Sequence, residues 1–427
     1  MENKIIKPVS SVQGNVVVPG DKSISHRALI IASLAEGQSV IRGLPASIDV
    51  MSTRACLKAL GVSISKKGDA VVVKGKGKYG FKKPKQILQA GNSGTTIRLL
   101  SGVLAAQPFI SEIDGDESLR NRPMRRIIEP LESMGAHIES RGYRAPLFIH
   151  GGPLRAVDYA STMASAQVKS CILLAGLYAK GSTRVSEPAI TRDHTERMLE
   201  AFGVKVRSSQ SVACVQGPAE LKALEMDVPG DISAAAFFLV AACVLPNSQI
   251  TIDNVGVNPT RIGILDALTA MGGRLERSQD VNFNNEPRCS LTAYSTPLTA
   301  ANFGGSMIPT IIDEIPILAV AATQATGNTV IRDAAELRVK ESDRLAAVAQ
   351  NLMAMGAQLK ETKDGLIISG PTKLKGAEID SFNDHRIAMS FAVAGLLAEG
   401  ETIIKGSDCV DISFPGFFQQ LERVLVA

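Results

Sequence analysis

Six stretches of the chain share one hydrophobic pattern: a short opening rich in Gly, Asp, Asn or Ser runs into an Ala-, Leu- and Ile-rich segment of helical length. The openings fall at Asp21 (DKSISHRALIIASLAEG), Asn92 (NSGTTIRLLSGVLAA), Ser165 (SAQVKSCILLAGLYAKG), Gly230 (GDISAAAFFLVAACVL), Asp313 (DEIPILAVAATQATG) and Asn383 (NDHRIAMSFAVAGLLAEG), 65 to 83 residues apart. A near-constant spacing of this kind predicts one supersecondary unit used six times. β-Branched runs follow the apolar segments, as in SVIRG (39–43), STRVS (182–186), QITIDN (249–254) and ETIIKG (401–406), and read as strands. A second helix then ends at a Gly before another strand, as in STRACLKALGVSIS, MRRIIEPLESMGAHIES, TERMLEAFGVKVRS and RLAAVAQNLMAMGAQLK.

The pattern also divides in two. VPGD occurs at 18–21 and again at 228–231, each time just before an opening. Pro-Gly punctuates extended chain, so the two tetrapeptides read as parallel crossings between domains. One domain is expected over 21–228, and the other over 229–427 with residues 1–20 added as a strand. A length of 427 residues suits two or three domains at ~150 residues each.

Composition narrows the function. With 45% hydrophobic residues and 4% aromatics, and no Trp, the core must be packed mostly by Ala, Leu, Ile and Val. The six cysteines are scattered without a C-x-x-C pair, which predicts reduced thiols and a cytoplasmic protein. The N-terminal residues lack a signal-peptide core, and no apolar run approaches ~18 residues, so no membrane partner is expected. A net charge of +4, spread out and without basic tails, argues against nucleic acid.

The openings carry the candidate chemistry. Helix N-termini present N–H groups and a dipole that favour anions. Lys22 and Arg27 add full charges to the first opening; GNSGTT (91–96) lets backbone approach a ligand in the second, with Arg98 one turn on. Ser165 and Gln167 offer hydroxyl and amide groups in the third, with Lys169 nearby; Asn383, Asp384, His385 and Arg386 form the sixth. Cationic loops lie between them: RNRPMRR (120–126), TRDHTER (191–197) and ELRVKESDR (336–344). A site collecting Lys22, Arg27, Arg122, Arg192, Lys340, Arg344 and Arg386 suits substrates with several phosphate and carboxylate charges. GKGKYG (75–80) matches a dinucleotide fingerprint, but Pro84 stands where its helix should begin, so a hairpin or loop is expected. No metal-binding or P-loop spacing is present, and no metal or cofactor is expected.

Taken together and in order, DKSISHRA (21–28), GNSGTT (91–96), RNRPM (120–124), SAQVKS (165–170), RDHTE (192–196), RVKESDRL (338–345) and NDHRIAM (383–389) resemble the motif set of the 3-phosphoshikimate 1-carboxyvinyltransferase (EPSP synthase) family. SAQVKS and RDHTE are similar to its glyphosate-tolerant branch. The resemblance implies a two-domain inside-out α/β barrel, each domain three βαβαββ units, closing over its substrates. It implies transfer of the enolpyruvyl group of phosphoenolpyruvate to the 5-hydroxyl of shikimate 3-phosphate, in chorismate and aromatic amino acid biosynthesis, by a monomer.

By position, the resemblance assigns Lys22, Ser23, Arg27, Ser165, Ala166, Gln167, Arg192, Asp313 and Lys340 to shikimate 3-phosphate. It assigns Lys22, Gly94, Arg122, Gln167, Arg344, His385 and Arg386 to phosphoenolpyruvate. Asp313, Glu341 and Lys22 are the expected catalytic groups: the acceptor hydroxyl must lose a proton while C3 of phosphoenolpyruvate gains one. The chain departs from some relatives at Ile412, where they carry a Lys. Two other readings are weighed. A UDP-N-acetylglucosamine enolpyruvyl transferase shares the architecture but normally carries a loop Cys, absent here near 110–123. An RNA-binding or RNA-end-processing protein would use the basic loops but gain nothing from Asp313 and Glu341.

Overall fold

The computed structural model describes residues 2–426. Its chain falls into two compact units: Gly20–Val228 with Asn282–Glu286, and Met1–Pro19 with Pro229–Val281 and Pro287–Ala427. The segment Asn282–Glu286, expected with the C-terminal residues, counts instead with the first unit. There Glu286 Oε1 lies 2.7 Å from His194 Nδ1, and Arg197 donates to the Asn285 carbonyl at 2.8 Å.

All six apolar stretches form helices: Lys22–Leu34, Gly94–Leu104 and Ala166–Gly176 in the first unit, and Ile232–Val244, Ile315–Gln324 and His385–Leu397 in the second. They are buried nearly all round; every residue from Ile232 to Cys243 is buried. Such helices can only sit at the centre of a domain. Within the first unit Gly94–Leu104 packs on both Lys22–Leu34 and Ala166–Gly176, and within the second the three helices pack on one another. Small residues allow this: a Cβ on Gly102 would fall 2.3 Å from the Cys171 carbonyl oxygen.

Sheets cover these helices, giving the inside-out α/β fold. In the first unit each sheet pairs one strand parallel and two antiparallel. Glu225–Asp227 runs parallel to Glu36–Arg42, which pairs antiparallel with Ala70–Lys76 and so reaches Ser63–Lys67. The same order joins Leu88–Gln89, Ile110–Asp114, Arg144–His150 and His137–Arg141, and again Asp158–Ala160, Gly181–Ser186, Val212–Gly217 and Val206–Ser209. In the second unit it joins Asn302–Phe303, Gly327–Ile331, Leu366–Gly370 and Gln358–Glu361. Ser11–Val16 runs parallel to Gln249–Gly256, and Lys4–Ile6 antiparallel to Thr402–Lys405, so the N-terminal strands complete the second unit.

The GKGKYG segment ends a strand and enters a turn, and no helix follows it. Gly75 is needed for packing: a Cβ there would meet the Ala35 and Ala32 carbonyl oxygens at 2.1 and 2.4 Å, where the sheet crosses the end of the Lys22–Leu34 helix. The second helices, Ile48–Ala59, Arg125–Ser133, His194–Ala201 and Arg344–Ala354, each stop just ahead of a left-handed glycine (Gly61, Gly135, Gly203, Gly356). Among the described residues no single helix is long and apolar enough to cross a membrane, and no cysteine is disulfide-bonded.

Candidate active site

In the first unit the openings become helix starts, the first two of them capped by a side chain. Asp21 accepts from Ile24 N at 2.8 Å, so Lys22 and Ser23 stand in the first turn of their helix. Lys22 Nζ lies 2.9 Å from Asp49 Oδ2 at the start of the Ile48–Ala59 helix. Arg27, one turn on, is enclosed: Nε donates to Thr195 at 2.7 Å and Nη2 to Ser170 at 2.8 Å. Its Nη1, bonded to the Ser23 carbonyl at 2.9 Å, is the less buried edge. Burial lowers this guanidinium to about 10, with Arg192 adding to the effect and Glu196, Asp21 and Glu286 opposing it. Arg192 Nη1 donates to Ser23 Oγ at 3.4 Å.

Ser93 caps the second helix by accepting from Thr96 N at 3.1 Å, which makes Gly94 its first residue. Two guanidinium groups crowd that glycine: an added Cβ would lie 3.3 Å from both Arg122 Nη1 and Arg98 Nη1. Arg122 is held by Asn92 Oδ1 at 2.6 Å and Ser118 Oγ at 3.3 Å. Gln167 accepts from Arg98 and donates to Thr95 Oγ1 at 2.9 Å. It sits in the first turn of the third helix, behind Ser165 at the cap and Ala166 at the first helical position. Gly94, Arg98, Arg122 and Gln167 therefore form one cluster, and Ser23, Arg27 and Arg192 another. Lys169, beside Gln167 in sequence, instead pairs with Glu196 at 2.8 Å and Glu187 at 3.0 Å in the interior.

The second unit builds a cluster around Arg344, a fully buried guanidinium at the start of the Arg344–Ala354 helix. It donates to Asp384 Oδ2 at 2.7 Å, Glu341 Oε2 at 2.7 Å and Asp313 Oδ1 at 3.2 Å. Burial works against its charge, but the Asp384, Glu341 and Asp313 carboxylates outweigh it and hold Arg344 above the ordinary arginine range. Arg386 Nη1 donates to the Asp313 carbonyl at 3.0 Å, and its Nη2 lies 3.7 Å from the Asp313 carboxylate. Lys340 Nζ lies 3.9 Å from Asp313 Oδ1. Desolvation lowers the Lys340 ammonium below the usual lysine value, against the pull of Asp313 and Glu336. Asp313 thus meets three cations, just ahead of the Ile315–Gln324 helix whose cap is Glu314. His385 is buried beside Asp384. Ile412 is half-buried against the apolar core and supplies no charge.

Several supporting partnerships were not read from the sequence, although Asp384 itself was noted in the sixth opening. Asp384 both caps its helix, accepting from Arg386 N at 2.9 Å, and grips Arg344. Glu314 bonds Ser233 and lies 3.8 Å from Arg386. Asp49 holds Lys22. An acid in the first turn of a helix is a readable cap signal, but its cation stands tens of residues away and no local pattern joins the two.

Helix starts crowded with guanidinium groups, and a carboxylate ringed by three cations, define an α/β enzyme for multiply charged anionic substrates. The profile of the EPSP synthase (3-phosphoshikimate 1-carboxyvinyltransferase) family matches residues 6–421. The chain belongs to the EPSP synthase family. It is 50% identical over 427 residues to the 3-phosphoshikimate 1-carboxyvinyltransferase of Bacillus cereus, covering 99% of this chain and 100% of that one. It is 51% identical over 421 residues to that of Brevibacillus brevis, covering 98% and 99%. A solved EPSP synthase from Acinetobacter baumannii superposes with a TM-score of 0.89 at 42% identity, covering 100% of this chain and 98% of the other.

Proposed function

We propose that this protein transfers the enolpyruvyl group of phosphoenolpyruvate to the 5-hydroxyl of shikimate 3-phosphate, releasing phosphate. The full-length match to the family carries this reading. Lys22, Ser23, Arg27, Ser165, Ala166, Gln167, Arg192, Asp313 and Lys340 bind the shikimate ester. Lys22, Gly94, Arg122, Gln167, Arg344, His385 and Arg386 serve phosphoenolpyruvate. His385, being buried, acts by packing behind Asp384.

Asp313 takes the proton of the attacking hydroxyl as C3 of phosphoenolpyruvate is protonated, giving a tetrahedral ketal phosphate. Phosphate then leaves as a proton is removed from the new methyl group. Glu341 and Lys22 handle the protons at C3 and at the phosphate. Fixed cations already in place stabilise the charge that builds on the leaving group. The three cations around Asp313 support its role, because they position a carboxylate that is not spent as a helix cap. Asp313→Ala should lower kcat by ~10²–10⁴ while calorimetry finds a modest change in shikimate 3-phosphate affinity. A variant with near-normal kcat and lost affinity would make Asp313 a binding group only.

The chain is further read as a glyphosate-tolerant-type member, from SAQVKS and RDHTE, that works as a cytoplasmic monomer without nucleic acid. Each domain is read as three βαβαββ units; the shared pairing order of the sheets supports this.

A further inference from the structure

One sheet of the first unit carries three metal-type donors that the reaction does not use. His137 and His150 stand opposite each other in the antiparallel register of strands His137–Arg141 and Arg144–His150. Their ring centroids are 4.6 Å apart. Glu139, two residues beyond His137, shares that face because side chains alternate along a strand. Its Oε1 lies 2.8 Å from His150 Nε2 and 3.5 Å from His137 Nε2. The intervening Ile138 and Ile149 point the other way, into the core.

We infer that His137, Glu139 and His150 form a binding site for a borderline divalent transition ion such as Zn²⁺. One donor atom from each residue lies within 4.8 Å of the other two. An ion bonded at ~2.0–2.2 Å to imidazole nitrogen and carboxylate oxygen holds its ligands at comparable separations. Small side-chain rotations therefore suffice, and the strand register fixes the backbone beneath them. Two imidazoles with one carboxylate match Zn²⁺, Co²⁺, Ni²⁺ or Cu²⁺; Mg²⁺ and Ca²⁺ call for oxygen ligands throughout. His137 and Glu139 are exposed and His150 is half-buried, so water completes the coordination. His137–Arg141 is the edge strand of its sheet, and the ion clips that edge to its neighbour. Because it binds the folded state alone, the ion raises the stability of the first unit by mass action.

The test uses the full chain without an affinity tag, titrated with ZnCl₂ by calorimetry and with CoCl₂ by visible absorption. The wild type should show one saturable 1:1 event and cobalt d–d bands of nitrogen–oxygen ligation. Loss of a group that only supports a metal ligand costs ~10–100-fold in affinity, so H137Q and H150Q should each weaken zinc at least ~10-fold. The double variant should abolish the event. These side chains are outside the core, so the variants should fold, which circular dichroism checks, and keep wild-type kcat. Absence of a 1:1 event in the wild type, or one that persists in the folded double variant, overturns the site.

Discussion

Thr53 and Thr96 join hydroxyl to hydroxyl at 2.6 Å in the interior of the first unit, linking the Ile48–Ala59 helix to the helix that begins at Gly94. His26 Nδ1 lies 2.6 Å from the Thr53 oxygen, and Thr96 Oγ1 donates to the Ser93 cap at 2.8 Å. Since each hydroxyl has one proton, the direction follows. Thr96 gives its proton to Ser93, so Thr53 donates to Thr96 and His26 Nδ1–H donates to Thr53. Burial, with Lys22 and Arg27 nearby, lowers His26 well below the usual histidine value, consistent with a neutral ring. One turn before His26 and Thr53 on the Lys22–Leu34 and Ile48–Ala59 helices, Lys22 pairs with Asp49. The Ile48–Ala59 helix thus holds both Lys22, through Asp49, and the Gly94 turn, through Thr53.

Breaking that chain should displace Gly94 relative to Lys22. Thr53→Val leaves two buried partners without their hydrogen bond, a loss of ~1–3 kcal/mol. The Michaelis constant for phosphoenolpyruvate should rise several-fold while that for shikimate 3-phosphate stays near wild type. Thr53→Ser, which keeps the hydroxyl, should restore it. Equal changes in both constants would mean the chain serves folding alone.

Gly94→Ala places a methyl 3.3 Å from both the Arg122 and Arg98 guanidinium groups. Those side-chain ends can give way for a compact ligand better than for a longer one. The inhibition constant of glyphosate should therefore rise by a larger factor than the phosphoenolpyruvate Michaelis constant, measured side by side. Equal factors would contradict the packing.

The helical core was legible because six apolar runs of Ala, Leu and Ile behind polar openings leave little alternative to a buried helix. The first-turn positions of Lys22, Gly94 and Gln167 followed from the same openings. Partnership was not legible: Arg344 and Asp384, or Lys22 and Asp49, meet only because separate helices start side by side. Nor did sequence spacing predict that Asn282–Glu286 crosses to the first unit, which depends on the fit of Glu286 against His194. The glycine at 75, which imitates a nucleotide fingerprint, is explained by a carbonyl contact that no local pattern encodes.

The lowered Lys340 gives a pH signature. It loses its proton below the ordinary lysine value of 10.5, so kcat/KM for shikimate 3-phosphate should fall earlier on the alkaline side than ordinary lysine predicts. Lys340→Arg, which stays charged, should carry the alkaline limb upward. Stability runs the other way. The folded state binds this proton less tightly than the unfolded chain, so its contribution to stability rises with pH between the lowered value and 10.5. A pH–rate profile unchanged in the variant would remove Lys340 from substrate binding.

Lys169 sits with Glu187 and Glu196, all nearly inaccessible. Burial pulls the Lys169 ammonium down, but the Glu196 and Glu187 charges prevail and raise it. Lys169→Met strands two carboxylates and should cost ~3–5 kcal/mol, seen as a clear fall in the denaturation midpoint. Replacing all three residues by apolar ones of similar size should recover much of the loss. A single variant as stable as wild type would show the ion pairs to be dispensable.

Enolpyruvyl transfer itself is tested most directly by mixing the purified chain with phosphoenolpyruvate and shikimate 3-phosphate and following phosphate release together with the product by NMR. Phosphate should appear in equal amount with 5-enolpyruvylshikimate 3-phosphate, and only when both substrates are present. Phosphate release that is independent of shikimate 3-phosphate, no release at all, or turnover of UDP-N-acetylglucosamine in its place would contradict the assignment.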